Sequence, residues 1–155
     1  MFRLIPAPLH RQALRVGHRL RKQWRQHTGL RSAGVSVIGL DDAGRVFLVR
    51  HSYGSGRWTL PGGGIGRGED PAACARREMR EELGCELELV ELALEFDEIL
   101  FGAPHRAFVF TVRFAGEPLA DGREVIETGW FARDALPPDM ISFAAHRLRR
   151  VFGDG

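Results

Sequence analysis

Glu78, Glu81 and Glu82 stand three and four positions apart, the spacing that makes side chains neighbours on a helical surface. Three carboxylates on one patch repel one another, by about a few tenths of a kcal/mol per like-charged pair on an exposed helix. Helix propensity does not ask for that arrangement. A divalent cation would relieve it, and hard oxygen ligands favour Mg²⁺ or Mn²⁺ over Zn²⁺. Mg²⁺ commonly takes one or two carboxylates together with the phosphate oxygens of a substrate. A solvated Glu-rich helix face would carry the same three letters, so the surrounding residues must decide.

The helix that positions these carboxylates has legible ends. Asp70 is a good N-cap, Pro71 suits the first helical position and Gly84 suits the residue just past the end, so the pattern predicts a helix over Pro71–Leu83. At 100° per residue Ala72, Ala75, Met79 and Leu83 share one arc, assigned to the core, and the glutamates lie about 90° away. Upstream, Gly62-Gly63-Gly64 lets backbone groups approach a ligand closely, or is a plain tight turn.

Gly63, Glu69, Arg77, Glu78, Met79, Glu81, Glu82 and Gly84 stand at the spacing G-x5-E-x7-R-E-U-x-E-E-x-G-U, where U is a bulky apolar residue. This stretch resembles the signature of the Nudix hydrolases. The final position departs, with Cys85 where an aliphatic residue is usual, but Cys packs as a small hydrophobe. Trp58 to Gly64 and Gly129-Trp130-Phe131 are similar to the family as well. The resemblance implies an α/β fold, the α/β/α sandwich with a mixed β-sheet between helices. It also implies that the Gly63 carbonyl joins Glu78, Glu81 and Glu82 around Mg²⁺ (or Mn²⁺), and that Glu69 and Arg77 form an ion pair pinning loop to helix. The implied reaction is hydrolysis of a phosphoanhydride bond in a nucleoside diphosphate linked to another moiety, by water that the metal activates. The alternative is a catalytically weak Nudix-like module that binds nucleotides or regulates.

Nudix relatives draw the general base from the helix or from a later loop, so Glu78 is the first choice and Glu124 the second. Glu124 and Glu127 also read as outward strand residues. Arg50, at the end of a strand, is expected to hold a phosphate, with Arg57 and the backbone of Gly62 and Gly63 beside it. His105 and Arg106 come after these. Tyr53 and Trp58 read as stacking partners for a base or, for Trp58, as core. Subgroup markers for ADP-ribose, dinucleoside polyphosphate and NADH enzymes are absent downstream. Leu60-Pro61-Gly62-Gly63 replaces the Pro-Gln-Gly-Gly usual in RNA-pyrophosphohydrolase relatives, which argues against that group.

The 155 residues, 44% apolar, suffice for one domain with a real core. No stretch is long and apolar enough to predict a transmembrane helix, no signal-peptide core is evident, and two cysteines are too few for a disulfide framework, so a cytoplasmic location is expected. Met1 to Leu40 contains eight Arg/Lys and no acid, leaving fourteen basic and twenty acidic residues in the remainder, a net −6. Residues 1–30 thus read as a basic arm, with 31–155 the Nudix domain. In the arm Leu9, Ala13, Val16, Leu20 and Trp24 form an apolar stripe at helical spacing. Such a helix docks on its own domain or on a twin subunit as a homodimer, contacts a membrane surface or polyanion, or serves as a transit peptide. No DNA partner is expected.

Further along, Ser32–Leu40 and Arg45–His51 flank Asp41-Asp42-Ala43-Gly44 and predict a β-hairpin beneath the helix. A short strand is predicted at Arg57–Leu60. Leu87–Phe101 and His105–Phe114 predict a second hairpin, Glu124–Phe131 a further strand, and Ile141–Phe152 a terminal helix.

Overall fold

The computed structural model describes residues 32–154, so the expectations for the basic arm lie outside the described residues. Among the described residues, seven strands and two helices follow one another as β1 (Ser32–Gly39), β2 (Val46–His51), β3 (Trp58–Thr59), β4 (Gly62–Gly64), α1 (Pro71–Leu83), β5 (Leu87–Leu100), β6 (Ala103–Phe114), β7 (Val125–Phe131) and α2 (Ser142–Phe152). Helix α1 has the predicted ends. The Asp70 side chain accepts from Ala73 N at 3.0 Å, Pro71 opens the helix, and Gly84 closes it in the left-handed region with its N–H donating to Arg80 O.

The strands form two sheets. One has the order β4-β1-β6-β5 and is mixed, because β1 runs parallel to β6 and antiparallel to β4. The other, β3-β2-β7, is antiparallel. Alternation along β1 and β2 then sorts side chains between two cores. Val35, Val37, Phe47 and Val49 pack with Cys74, Ala75, Met79 and Leu83 of α1. Ile38, Val46 and Leu48 pack on the other side with Ala144 and Leu148 of α2. Fully burying each of the larger of these side chains contributes about 1.5–3 kcal/mol. The sheets lie between the two helices, as the fold class required.

Three local expectations need correction. The first predicted hairpin keeps its turn, where Gly44 N donates to Asp41 O at 3.0 Å, but β1 and β2 belong to different sheets, and the backbone pairing between the two segments is the single Leu40–Val46 bridge. Both edges of β1 are taken by distant strands, β4 and β6, which suits a short apolar run buried on both faces. Second, Gly62–Gly64 is not a turn but a strand, paired with Ser36, Val35 and Gly34. Third, the β5–β6 turn sits at Phe101-Gly102, with Ala103 and Pro104 already inside β6. Both turn residues have positive φ, 53° and 79°, the twist that a two-residue connection between antiparallel strands requires.

Candidate active site

Helix α1 carries its glutamates to two different environments. Glu82 is 2% exposed, packed under the β2–β3 segment, with His51 Nε2 at 3.5 Å from its Oε1. Its Oε2 is buried with no hydrogen-bond partner among the described residues. Glu78 lies under β4, and a β-carbon on Gly63 would overlap its carboxyl group, so only glycine lets the strand and this carboxylate come together. Burial and the nearby Glu82 and Glu81 charges push the Glu78 carboxyl up to about 7, against the pull of Arg77. Glu81, by contrast, is exposed and rests on Arg77 Nη1 at 3.1 Å.

Arg77 is the hub of the loop. It meets Glu69 through two nitrogens, Nε at 2.8 Å and Nη2 at 3.0 Å, and also reaches Glu78, Glu81 and the Gly64 carbonyl. Glu69 in turn accepts from Gly66 N at 3.0 Å. Arg77 first, then the Gly66 N–H, hold the Glu69 carboxyl down at about 2. Desolvation pushes the buried Cys74 thiol beside this pair up to about 12, which leaves it protonated and unreactive.

The donor set fits a hard divalent cation, although among the described residues no group of three His, Cys, Asp or Glu side chains is already gathered as a cage. Two neighbouring carboxylates, one with an unmet buried oxygen and one pushed toward neutrality by burial and by the Glu82 and Glu81 charges, are an arrangement that positive charge stabilises.

A cleft of about 450 Å³ opens beside them. Its walls come from β1 (Ala33 to Ser36), the β2–β3 loop with Tyr53 and Arg57, β4, the Leu100-Phe101 tip and the start of α2. Gly63 and His51 belong both to this wall and to the carboxylate cluster, since one covers Glu78 and the other faces Glu82. Arg57, Gly62 and Gly63 are thus brought together at the cleft. Arg50 is not: its Nε donates to Gly56 O, its two terminal nitrogens pair with Glu127 and Asp139, and its guanidinium lies over the buried Trp58 ring at 5.4 Å. Arg106 is likewise tied to Glu95 and Asp97 on the hairpin surface. Glu124 is half-buried at the entry to β7, its carbonyl accepting from Ser52 N at 2.9 Å, one residue along from His51.

Sequence reasoning passed over several lining residues. His51 has the parity of Phe47 and Val49, which face α1, and that parity was the signal that it, rather than Arg50, points to the carboxylates. His105, which the sequence did offer behind Arg50 and Arg57, lines the cleft and is buried, its Nδ1 at 2.7 Å from Ser32 Oγ. Arg147, on the buried side of α2, carries no signal in the sequence, where an arginine between Phe143 and Leu148 reads as a solvent residue.

The chain matches the NUDIX domain family model over residues 30–151. It is 32% identical over 124 residues to an ADP-ribose pyrophosphatase of Mycobacterium tuberculosis, a stretch covering 72% of this chain and 60% of that protein. Over 51 residues it is 43% identical to an RNA pyrophosphohydrolase of Rhodospirillum rubrum, 33% of this chain and 31% of the relative. It therefore spans less than two thirds of the length of either. Among solved structures, the MutT NUDIX hydrolase of Burkholderia pseudomallei superimposes with a TM-score of 0.71 at 30% identity, covering 79% of this chain and 98% of the other. A family model that spans both cores, the glycine strand and the carboxylate helix leaves one conclusion: the chain belongs to the NUDIX domain family.

Proposed function

We propose that this protein is a Mg²⁺- or Mn²⁺-dependent pyrophosphohydrolase that cleaves a phosphoanhydride bond in a nucleoside diphosphate linked to another moiety. One observation carries the reading: Glu82, buried with an unmet carboxylate oxygen, lies beside Glu78 behind the Gly63 and His51 wall of a cleft large enough for a small molecule. Glu78 and Glu82 would hold the ion, with Glu81 and the Gly63 carbonyl completing the set that the family resemblance implies. An ion held there would supply neutralisation of charge on the phosphate oxygens and activation of water as a nucleophile.

The chain's own groups do the rest. Arg77, anchored by Glu69, fixes the turn that delivers Glu78 to β4. Glu78, shielded by Gly63, is the first choice to take the proton from the attacking water, and Glu124 at the entry to β7 is the second. Arg57, exposed on the cleft rim, holds a phosphate oxygen. Cys74 and Cys85 are buried free thiols, in keeping with a reducing cytoplasm.

The test is turnover of a panel of nucleoside diphosphate derivatives with Mg²⁺ or Mn²⁺, set against Glu82→Gln. Hydrolysis of at least one member that falls by about a hundredfold or more in the variant is expected. No member turned over above the variant, with nucleotide binding retained, would make the protein a binding module on the same fold.

A further inference from the structure

The inner end of the cleft holds chemistry that the carboxylate cluster does not use. Arg147 enters it from α2 and is 3% exposed. Its Nη1 donates to Ser36 Oγ at 3.0 Å and its Nη2 pairs with Glu98, while its Nε is buried without a partner among the described residues. Thr59, 4% exposed, lines the same cleft, and its hydroxyl is likewise buried with no partner among the described residues. Nearly all buried polar atoms are hydrogen-bonded, so two unmet groups at one surface mark a place where something else supplies the partner.

The kind of partner follows from the donor inventory. Arginine offers N–H donors and no acceptor, and the Ser36 hydroxyl, already accepting from Arg147, has its own proton left to give. Among the described residues, the cleft lining contains no aspartate or glutamate. Three elements add aromatic rings: Tyr53 from the β2–β3 loop, Phe101 from the hairpin tip and Phe143 from α2. Phe143 lies over the Arg147 guanidinium at 4.7 Å, with Phe101 edge-on to it at 6.4 Å. Rings suit a flat heterocycle, and donors beneath them suit an acceptor on its edge.

We propose that this inner end is the subsite for the heterocyclic base of the substrate, and that Arg147, Thr59 and Ser36 select a base whose purine C6 or pyrimidine C4 bears a carbonyl oxygen over one whose same position bears an amino group. Guanine, hypoxanthine and uracil present the required oxygen. Adenine and cytosine turn an amino group toward donors, leaving both sides unpaired. The inference rests on the proposed function only in placing the diphosphate at the carboxylate end of the same cleft.

Calorimetric titration of the full chain with GDP, IDP, ADP, UDP and CDP tests it. GDP and IDP are expected to bind about tenfold or more tighter than ADP, and UDP tighter than CDP, because sites that hydrogen-bond a polar edge reject its mismatch strongly. Thr59→Val should erase much of that preference while leaving the melting temperature unchanged or higher, since it removes a hydroxyl that no protein group satisfies. Arg147→Lys should weaken GDP more than ADP. Equal or absent binding across the five nucleotides, or a preference intact in Thr59→Val, would overturn the proposal. Since the readout is binding, a protein that discriminates bases but hydrolyses nothing would remove the proposed reaction and leave this subsite standing.

Discussion

Glu82 keeps one buried carboxylate oxygen without a partner among the described residues, whereas both oxygens of Glu69 are bonded, so the two carboxylates respond differently to losing their charge. Mg²⁺ is expected to raise the melting temperature of the native protein, by about 2.7 kcal/mol in stability when the ion is at a hundred times its Kd, and Glu82→Gln is expected to abolish that rise. Glu69→Gln should keep that response and most of kcat. Equal losses of kcat from the two changes would contradict the division. Glu69 also sets a pH dependence. Its carboxyl is held at about 2 in the fold against an ordinary 4.5, so its stabilising contribution is complete above about 4.5 and disappears as pH falls toward 2. Melting curves over that window should show the native protein losing stability faster than Glu69→Gln. Residues such as Asp70, Gly84 and the Glu69–Arg77 pair were legible in the sequence because their partners lie within a dozen positions. Arg50 was misleading for the opposite reason: Glu127 and Asp139, which occupy its fork, are some eighty residues away.

At the level of elements, β4 shows how two adjacent glycines do separate jobs. A β-carbon on Gly62, where φ is 155°, would run into the Val35 carbonyl of the neighbouring strand, whereas one on Gly63 would meet the Glu78 side chain. Gly62→Ala is therefore expected to destabilise the fold by about 1–3 kcal/mol, the usual range for overpacking. Gly63→Ala should melt within about 1 kcal/mol of the native protein yet lose activity, because a carboxylate can swing aside where a backbone cannot. Chemical denaturation and turnover of both variants check the pair. Helix α1, the long β5–β6 hairpin and α2 could be read from periodicity and caps, which are local. The placement of β1 and β2 in different sheets could not. A polar turn between two apolar runs specifies a reversal of the chain, and the same signal serves a hairpin or a crossing from one sheet to the next.

For the whole molecule, the described residues 32–154 hold two cores, one covered by α1 and one by α2. Removing Met1 to Thr28 is expected to leave a folded domain. If the arm docks through Leu9, Ala13, Val16, Leu20 and Trp24, the shortened protein melts lower, by about 2–4 °C for each kcal/mol of lost contact, or loses an oligomeric state in solution. An unchanged melting temperature together with sedimentation of the full chain on anionic vesicles would assign the arm to membranes or polyanions instead. The parallel pairing of β1 with β6 has a consequence for the way the protein is made. β1 ends at Gly39 and the strand it must lie beside ends at Phe114. At about 5–20 residues per second, the ~75 residues between them take the ribosome about 4–15 s to add. Until then Val35, Val37 and Ile38 have no completed sheet to enter, so a pause in translation upstream of Phe114 prolongs the interval in which the nascent chain is open to aggregation.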